Sequence, residues 1–270
     1  MKSNNSRKKI VVLDKPITES SFHKNFIMNI PKLFRTNFLL ILSLSMLLIN
    51  LFLIIVLTSF NIIVWGEPNR VVYIIFFYHV SGAWLAYLSF GISLLFHILY
   101  LKRREINWNR LGTNSIIVGV FFTIFALITG SLWYNATSGD YNNVFWQWSD
   151  ARQTMTFVLL LSYLAYLIFR SMIEDKEKRA KLSSVLGVAL FPTVPLSYFS
   201  ALIFTSLHPL INPTPGEPGN IYWDPIKLFM LIFNLTAITI LFFYIINKFG
   251  ELDKAKTELN EIIQKRLGEV

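Results

Sequence analysis

Six long runs of apolar residues leave this chain few choices of fold. They cover roughly 37–60, 71–101, 111–133, 152–169, 182–204 and 226–246. A helix rises about 1.5 Å per residue, so about 20 such residues cross roughly 30 Å of hydrocarbon. The runs are continuous rather than alternating, and strands in lipid would have to close into a barrel. The sequence therefore predicts an all-α protein, a bundle of six transmembrane helices. A basic arm over 1–36 precedes a membrane domain over 37–247, and a tail helix follows over 248–270. Composition agrees: 54% of the 270 residues are hydrophobic, 15% are charged, and mean hydropathy is +0.50. A soluble domain carries about 25% charge. The net charge of +9 falls in blocks between the apolar runs. The expected partner is thus the lipid bilayer and not nucleic acid. The chain has no cysteine, which excludes disulfides, thiol chemistry and thiolate ligands. No cleavable signal peptide is expected, because the first apolar run follows a polar arm and is long enough to remain as a span.

The connections set an expected orientation. Lys2, Arg7, Lys8, Lys9, Lys15, Lys24, Lys32 and Arg35 precede the first span. Lys102, Arg103, Arg104 and Arg110 lie between the second and third spans. Arg170, Lys176, Lys178, Arg179 and Lys181 lie between the fourth and fifth, and Lys248, Lys254, Lys256, Lys265 and Arg266 follow the sixth. The other three connections hold little beyond Arg70 and Arg152, with Lys227 opening the last span. The positive-inside rule then places both termini in the cytoplasm.

The basic ends also serve as rulers. About 20 residues outward from Lys102 reaches Gly82, which puts His79 at or just beyond the outer interface. The same count from Arg110 reaches Gly130 and puts Trp133 at the outer surface. Counting back from Arg170 reaches Asp150, so Trp146 and Trp148 are outer as well. Counting on from Lys181 reaches Ala201, with His208 a few residues past the membrane. The histidines and the loop over 134–152 thus converge on the outer face. Tryptophan is enriched at both interfaces because its ring is amphipathic. Here Trp65, Trp133, Trp146, Trp148 and Trp223 read as outer and only Trp108 as inner, with Trp84 near the outer boundary. The excess points to a working surface.

Neutral imidazole is a standard ligand of haem iron, and two can fill both axial positions. His79 and His208 are the candidates, although either alone also reads as an ordinary interfacial or loop histidine. Arg152 is an outer cation suited to a haem propionate; for Arg70 plain solvation is the better reading. Asp150 either orients Arg152 or a histidine, or caps the fourth helix. His97 lies 18 positions after His79, five helical turns, and faces the same way about 27 Å further in. It reads as an interfacial histidine beside the basic loop. His23, in the arm, is given no role. Pro192 and Pro195 interrupt the fifth run and are expected to kink it, carrying His208 toward the tryptophan loop. The run 212–219 reads as a stiff outer loop, and 251–267 as a short amphipathic helix.

Three segments, in this order, resemble the CcmC family of haem-handling membrane proteins within the wider Trp-rich "WWD" group. The first is Tyr78-His79-Val80-Ser81-Gly82-Ala83-Trp84. The second is Thr129-Gly130-Ser131-Leu132-Trp133 with Phe145-Trp146-Gln147-Trp148-Ser149-Asp150-Ala151-Arg152-Gln153-Thr154. The third is Ser206-Leu207-His208-Pro209. The resemblance runs from about Trp65 to Ile246. It implies six spans in a cell membrane and haem b held on the extracytoplasmic face. His79 and His208 would be axial ligands, with Trp84, Trp133, Trp146, Trp148, Asp150 and Arg152 around the haem. It further implies delivery to a CcmE-type haem chaperone, beside an ABC-type complex of CcmA- and CcmB-like subunits and a small CcmD-like subunit. The chain departs from the family pattern in three places. Ser149 intervenes between Trp148 and Asp150, Ser81-Gly82 stands where a proline is usual, and Asn142-Asn143-Val144 replaces a Gly-Trp start.

No catalytic acid, base or nucleophile set stands out, so transfer rather than catalysis is expected. A subunit of a cytochrome c haem lyase is the alternative within the same group, and it would favour a further functional histidine. A small-solute transporter is the alternative outside it, and it would favour ionisable residues at mid-membrane.

Overall fold

A computed structural model describes residues 19–60, 62, 72–137, 145–204, 206, 208 and 225–268. Trp65, Arg70, Asn142-Asn143-Val144, Trp223 and the run 212–219 lie outside the described residues. The regular structure among the described residues is all helical, with no strand among them. In chain order they form α1 (Glu19–Ser59), α2 (Val72–Arg103), α3 (Ile106–Thr137), α4 (Ala151–Ser171), α5 (Lys176–Leu190), α6 (Thr193–Ile203) and α7 (Pro225–Leu267). Six stretches are long and apolar enough to cross a membrane, with α5 and α6 together making the fifth.

The kink expected in the fifth run is the break between α5 and α6. Pro192 and Pro195 have no N–H to give, so the α5 ladder cannot continue through them. The Thr193 hydroxyl takes over one freed carbonyl by donating to Leu190 O at 2.7 Å. The expected separate tail helix is not separate: α7 runs unbroken for 43 residues, from the last span to Leu267. Asn114 Nδ2 donates to Asp253 Oδ2 at 3.0 Å and fastens that extension to α3.

In lipid, helices gain nothing from burying apolar faces against one another, so close packing at small residues decides which pairs form. The tightest pair is α2 with α3. Rings on one helix fill the space over glycines on the other. A Cβ added at Gly82 would meet Phe125 at 2.5 Å, at Gly119 Phe90 at 2.6 Å, at Gly112 His97 at 2.8 Å and at Gly130 His79 at 2.9 Å. Phe76 and Trp133 extend the same seam one turn further, ring centroids 6.1 Å apart. As the numbers rise along α2 they fall along α3, the register of an antiparallel pair.

The two ends of α2 are joined to the other helices differently. At the end carrying Arg103, Arg110 and Arg170, a fully buried His97 sits between α3 and α5. Its Nδ1 pairs with Ser184 Oγ at 3.0 Å and its Nε2 with the Tyr166 hydroxyl at 3.1 Å. Asn109 donates to Ser184 Oγ, Ser183 Oγ and Ala180 O, and Arg170 to Ser183 Oγ. His97, read from the sequence as an interfacial histidine beside the basic loop, is enclosed among these helices. Helix α3 starts five residues earlier than its apolar run, and α5 lays Ser184 and Gly187 against the ring. Nearer the other end, the Tyr87 hydroxyl pairs with Ser197 Oγ at 3.2 Å and its ring meets Tyr198 edge-on, joining α2 to α6.

Candidate functional site

The two histidines singled out from the sequence meet. His79, near the start of α2, and His208, beyond the end of α6, have ring centroids 6.5 Å apart at an interplanar angle of 47°. Both are half-buried. Each is held by residues whose purpose the sequence did not reveal. The His79 ring lies over Gly130, where a side chain would strike it, and its Nδ1 is 3.0 Å from Thr129 Oγ1. His208 is tied through its backbone: its N–H donates to Ser206 Oγ at 3.1 Å, and Ser206 Oγ donates to Asp150 Oδ2 at 3.0 Å.

Asp150 is therefore a junction. Its Oδ1 accepts from Gln153 N at 3.0 Å and caps α4, the helix-start role that is one of its two sequence readings. Its Oδ2 carries the tether to His208. The side chain is only 6% exposed, so both bonds are sheltered from water. Gln153 also accepts from Gln147 N at 3.0 Å, and the Tyr134 hydroxyl bonds Gln147 Oε1. These bonds hold the described part of the tryptophan loop between α3 and α4.

The remaining candidates divide. Trp133 lies one turn from Gly130 on the same seam and packs on Phe76, so it borders the His79 slot. Arg152 lies 5.2 Å over the Tyr198 ring and bonds the Tyr198 carbonyl. Trp146 and Trp148 pack edge-on, 5.4 Å apart, and both rest on Phe157. Trp146 caps an apolar groove of about 420 Å³ lined by Ile124, Ile128, Leu132 and Phe157 among others. On α3 those residues face away from Thr129, Gly130 and Trp133, so a helix diameter of about 10 Å separates the groove from the His79 slot. The indole of Trp148 is 68% exposed. Trp84 is not brought to the histidines. It lies five residues along α2 from His79, about 140° round the helix, and donates to Thr239 Oγ1 on α7 at 3.3 Å.

Two half-buried imidazoles thus stand 6.5 Å apart, one against a threonine hydroxyl and the other tied through its backbone to Ser206 and the buried Asp150; neutral imidazole is a donor type that a metal-centred group takes. The CcmC family model, described as haem exporter protein C, matches residues 25–258 of this chain. The chain belongs to the CcmC family. Curated relatives agree with CcmC membership. A ccmC-like mitochondrial protein of cytochrome c biosynthesis from Arabidopsis thaliana is 27% identical over 75% of this chain and 73% of its own length. Haem exporter protein C of Rhodobacter capsulatus is 28% identical over 66% of this chain and 71% of its own length. Its counterpart from Bradyrhizobium diazoefficiens is 31% identical over about half of each, 50% and 49%. For a CcmC-family chain the residues missed in the sequence are Thr129, Gly130 and Ser206. All three stand inside the segments that carry the resemblance, but their purpose depends on contacts 50 to 56 residues away in sequence.

Proposed function

We propose that this protein holds haem b as cargo between His79 and His208 on the outer membrane surface and passes it to a CcmE-type haem chaperone. The observation that carries this is the spacing of the pair. Metal–imidazole bonds of about 2 Å on each side set two ring centroids roughly 6 Å apart. The observed 6.5 Å leaves room for one iron and little else. The donor set is right for haem iron, which takes neutral imidazole on either axial side. Trp133 borders the slot, and the exposed Trp148, two residues from Asp150, offers a ring for a porphyrin edge. Arg152 is the cation available to a propionate. The ABC-type CcmA- and CcmB-like subunits and a CcmD-like subunit are the proposed membrane partners, in keeping with the relatives' name of haem exporter. His97 bears on the lyase alternative, since both its nitrogens are already bonded and it is not a spare ligand.

Purified protein loaded with haem is expected to give a low-spin, six-coordinate b-type spectrum. His79→Ala and His208→Ala should each abolish it or convert it to high spin. Unchanged spectra in both variants would remove the pair from the iron and with it this function. The orientation is tested separately. The cationic loops cluster at the end opposite the histidines, so that end is proposed to be cytoplasmic. The chain is free of cysteine, so Asn143→Cys introduces a unique label site. It should react with an impermeant maleimide added outside intact cells; labelling only after the inner face is opened would invert the topology.

A further inference from the structure

The hydrogen bonds around Thr129 determine which nitrogen of His79 is free to bind. Thr129 Oγ1 is 2.8 Å from the Phe125 carbonyl, 3.3 Å from the Ala126 carbonyl and 3.0 Å from His79 Nδ1. A threonine hydroxyl has one proton and two lone pairs. Both carbonyls only accept, so the proton goes to the backbone of α3, by distance to Phe125. Toward His79 the same oxygen can then only accept. With Nδ1 as the donor to that oxygen, a neutral imidazole keeps its bare lone pair on Nε2, and the Ala126 carbonyl beside the ring likewise calls for an N–H. Gly130 supports the arrangement. Its missing side chain is the space in which the ring lies, with Cε1 2.9 Å from where a Cβ would stand.

We infer that Thr129 is a positioning residue: it fixes His79 in the Nδ1–H tautomer and so assigns Nε2 as the atom offered to the cargo. This rests on the reading of His79 as an iron ligand, but the tautomer itself belongs to the protein without haem. A hydrogen-bonded Nδ1–H also makes Nε2 a stronger donor, as outer partners of ligating histidines do elsewhere. The bond from Thr129 to its own helix turn is what makes the assignment one-way, because a hydroxyl free to rotate would serve either tautomer.

The test begins on haem-free protein in nanodiscs with ¹⁵N-labelled histidine, above neutral pH. The His79 ring signals are identified by their disappearance in His79→Ala. Wild type should show one tautomer, protonated at Nδ1. Thr129→Ser keeps the oxygen and should match it, whereas Thr129→Val keeps the shape without the acceptor and should show both tautomers. Haemin titration of the same proteins should follow: an affinity about 10- to 100-fold lower for Thr129→Val, restored by Thr129→Ser. A bare Nδ1 in wild type overturns the inference, even where Thr129→Val fails to fold. An unchanged tautomer and affinity in Thr129→Val overturns it equally. Should His79→Ala bind haem like wild type, it is the ligand assignment that fails, and the nitrogen spectra still decide what Thr129 does to the ring.

Discussion

Asp150→Ala is expected to weaken the fold and the cargo site together, while Ser206→Ala weakens mainly the site. Asp150 spends one carboxylate oxygen on the first turn of α4 and the other on Ser206. Removing the cap costs about 1 kcal/mol. Losing the acceptor of the half-buried Ser206 hydroxyl adds roughly 0.5–1.5 kcal/mol. The Asp150→Ala protein should therefore lose about 2 kcal/mol of stability, read as a lower denaturation midpoint in detergent. Both variants release the backbone of His208, so both should bind haem about 10- to 100-fold more weakly. In Ser206→Ala the α4 cap survives, so its midpoint should fall less than that of Asp150→Ala. The prediction fails if Ser206→Ala binds haem like wild type, for the tether would then hold nothing that matters.

Gly130→Val is expected to remove His79 from the site altogether. A Cβ at this position stands 2.9 Å from His79 Cε1, 3.4 Å from Nδ1 and 3.6 Å from Nε2. Valine adds two methyl groups beyond that atom and keeps them stiff. The ring has to swing out, which breaks its bond to Thr129 and spoils the 6.5 Å gap. Haem affinity should fall by more than about 100-fold, beyond what loss of an outer hydrogen bond alone produces. Overpacking should cost roughly 1–3 kcal/mol of stability. Helix propensity works the other way, since valine is a better helix former than glycine. Gly250→Val is the control, because a Cβ there meets nothing within 4 Å. Retained low-spin haem binding in Gly130→Val would show that the slot does not hold the ligand.

What the sequence disclosed follows from what one dimension can encode. The six spans were legible because hydropathy is a local property and lipid enforces it. The meeting of His79 and His208 was legible because basic residues mark one membrane face and a span has nearly constant length. The remainder depended on packing. His97 reads as interfacial when the membrane edge is drawn at the end of the apolar run, but the packed bundle continues past it, through a polar first turn of α3 and the serines of α5. Trp84 was put around the haem by the resemblance of its segment, whereas five residues of helical rotation from His79 turn it toward α7. Thr129 and Ser206 look like ordinary small polar residues until a partner from another helix is placed beside them.

The ring-into-glycine seam has one more consequence. Shifting α2 against α3 by a single turn of about 5.4 Å would carry Phe76, His79, Phe90 and His97 out of their seats at once. The two helices are in effect one rigid strut, and His79 has a permanent address on it. His208 takes its position from the other side, from α4 through Asp150 and from the end of α6; α6 meets α2 at Tyr87, and α4 meets it at Phe90 and His97. The 6.5 Å between the rings therefore measures how α4 and the end of α6 are set against the α2–α3 pair, so a substitution at either seam should be felt at the histidines.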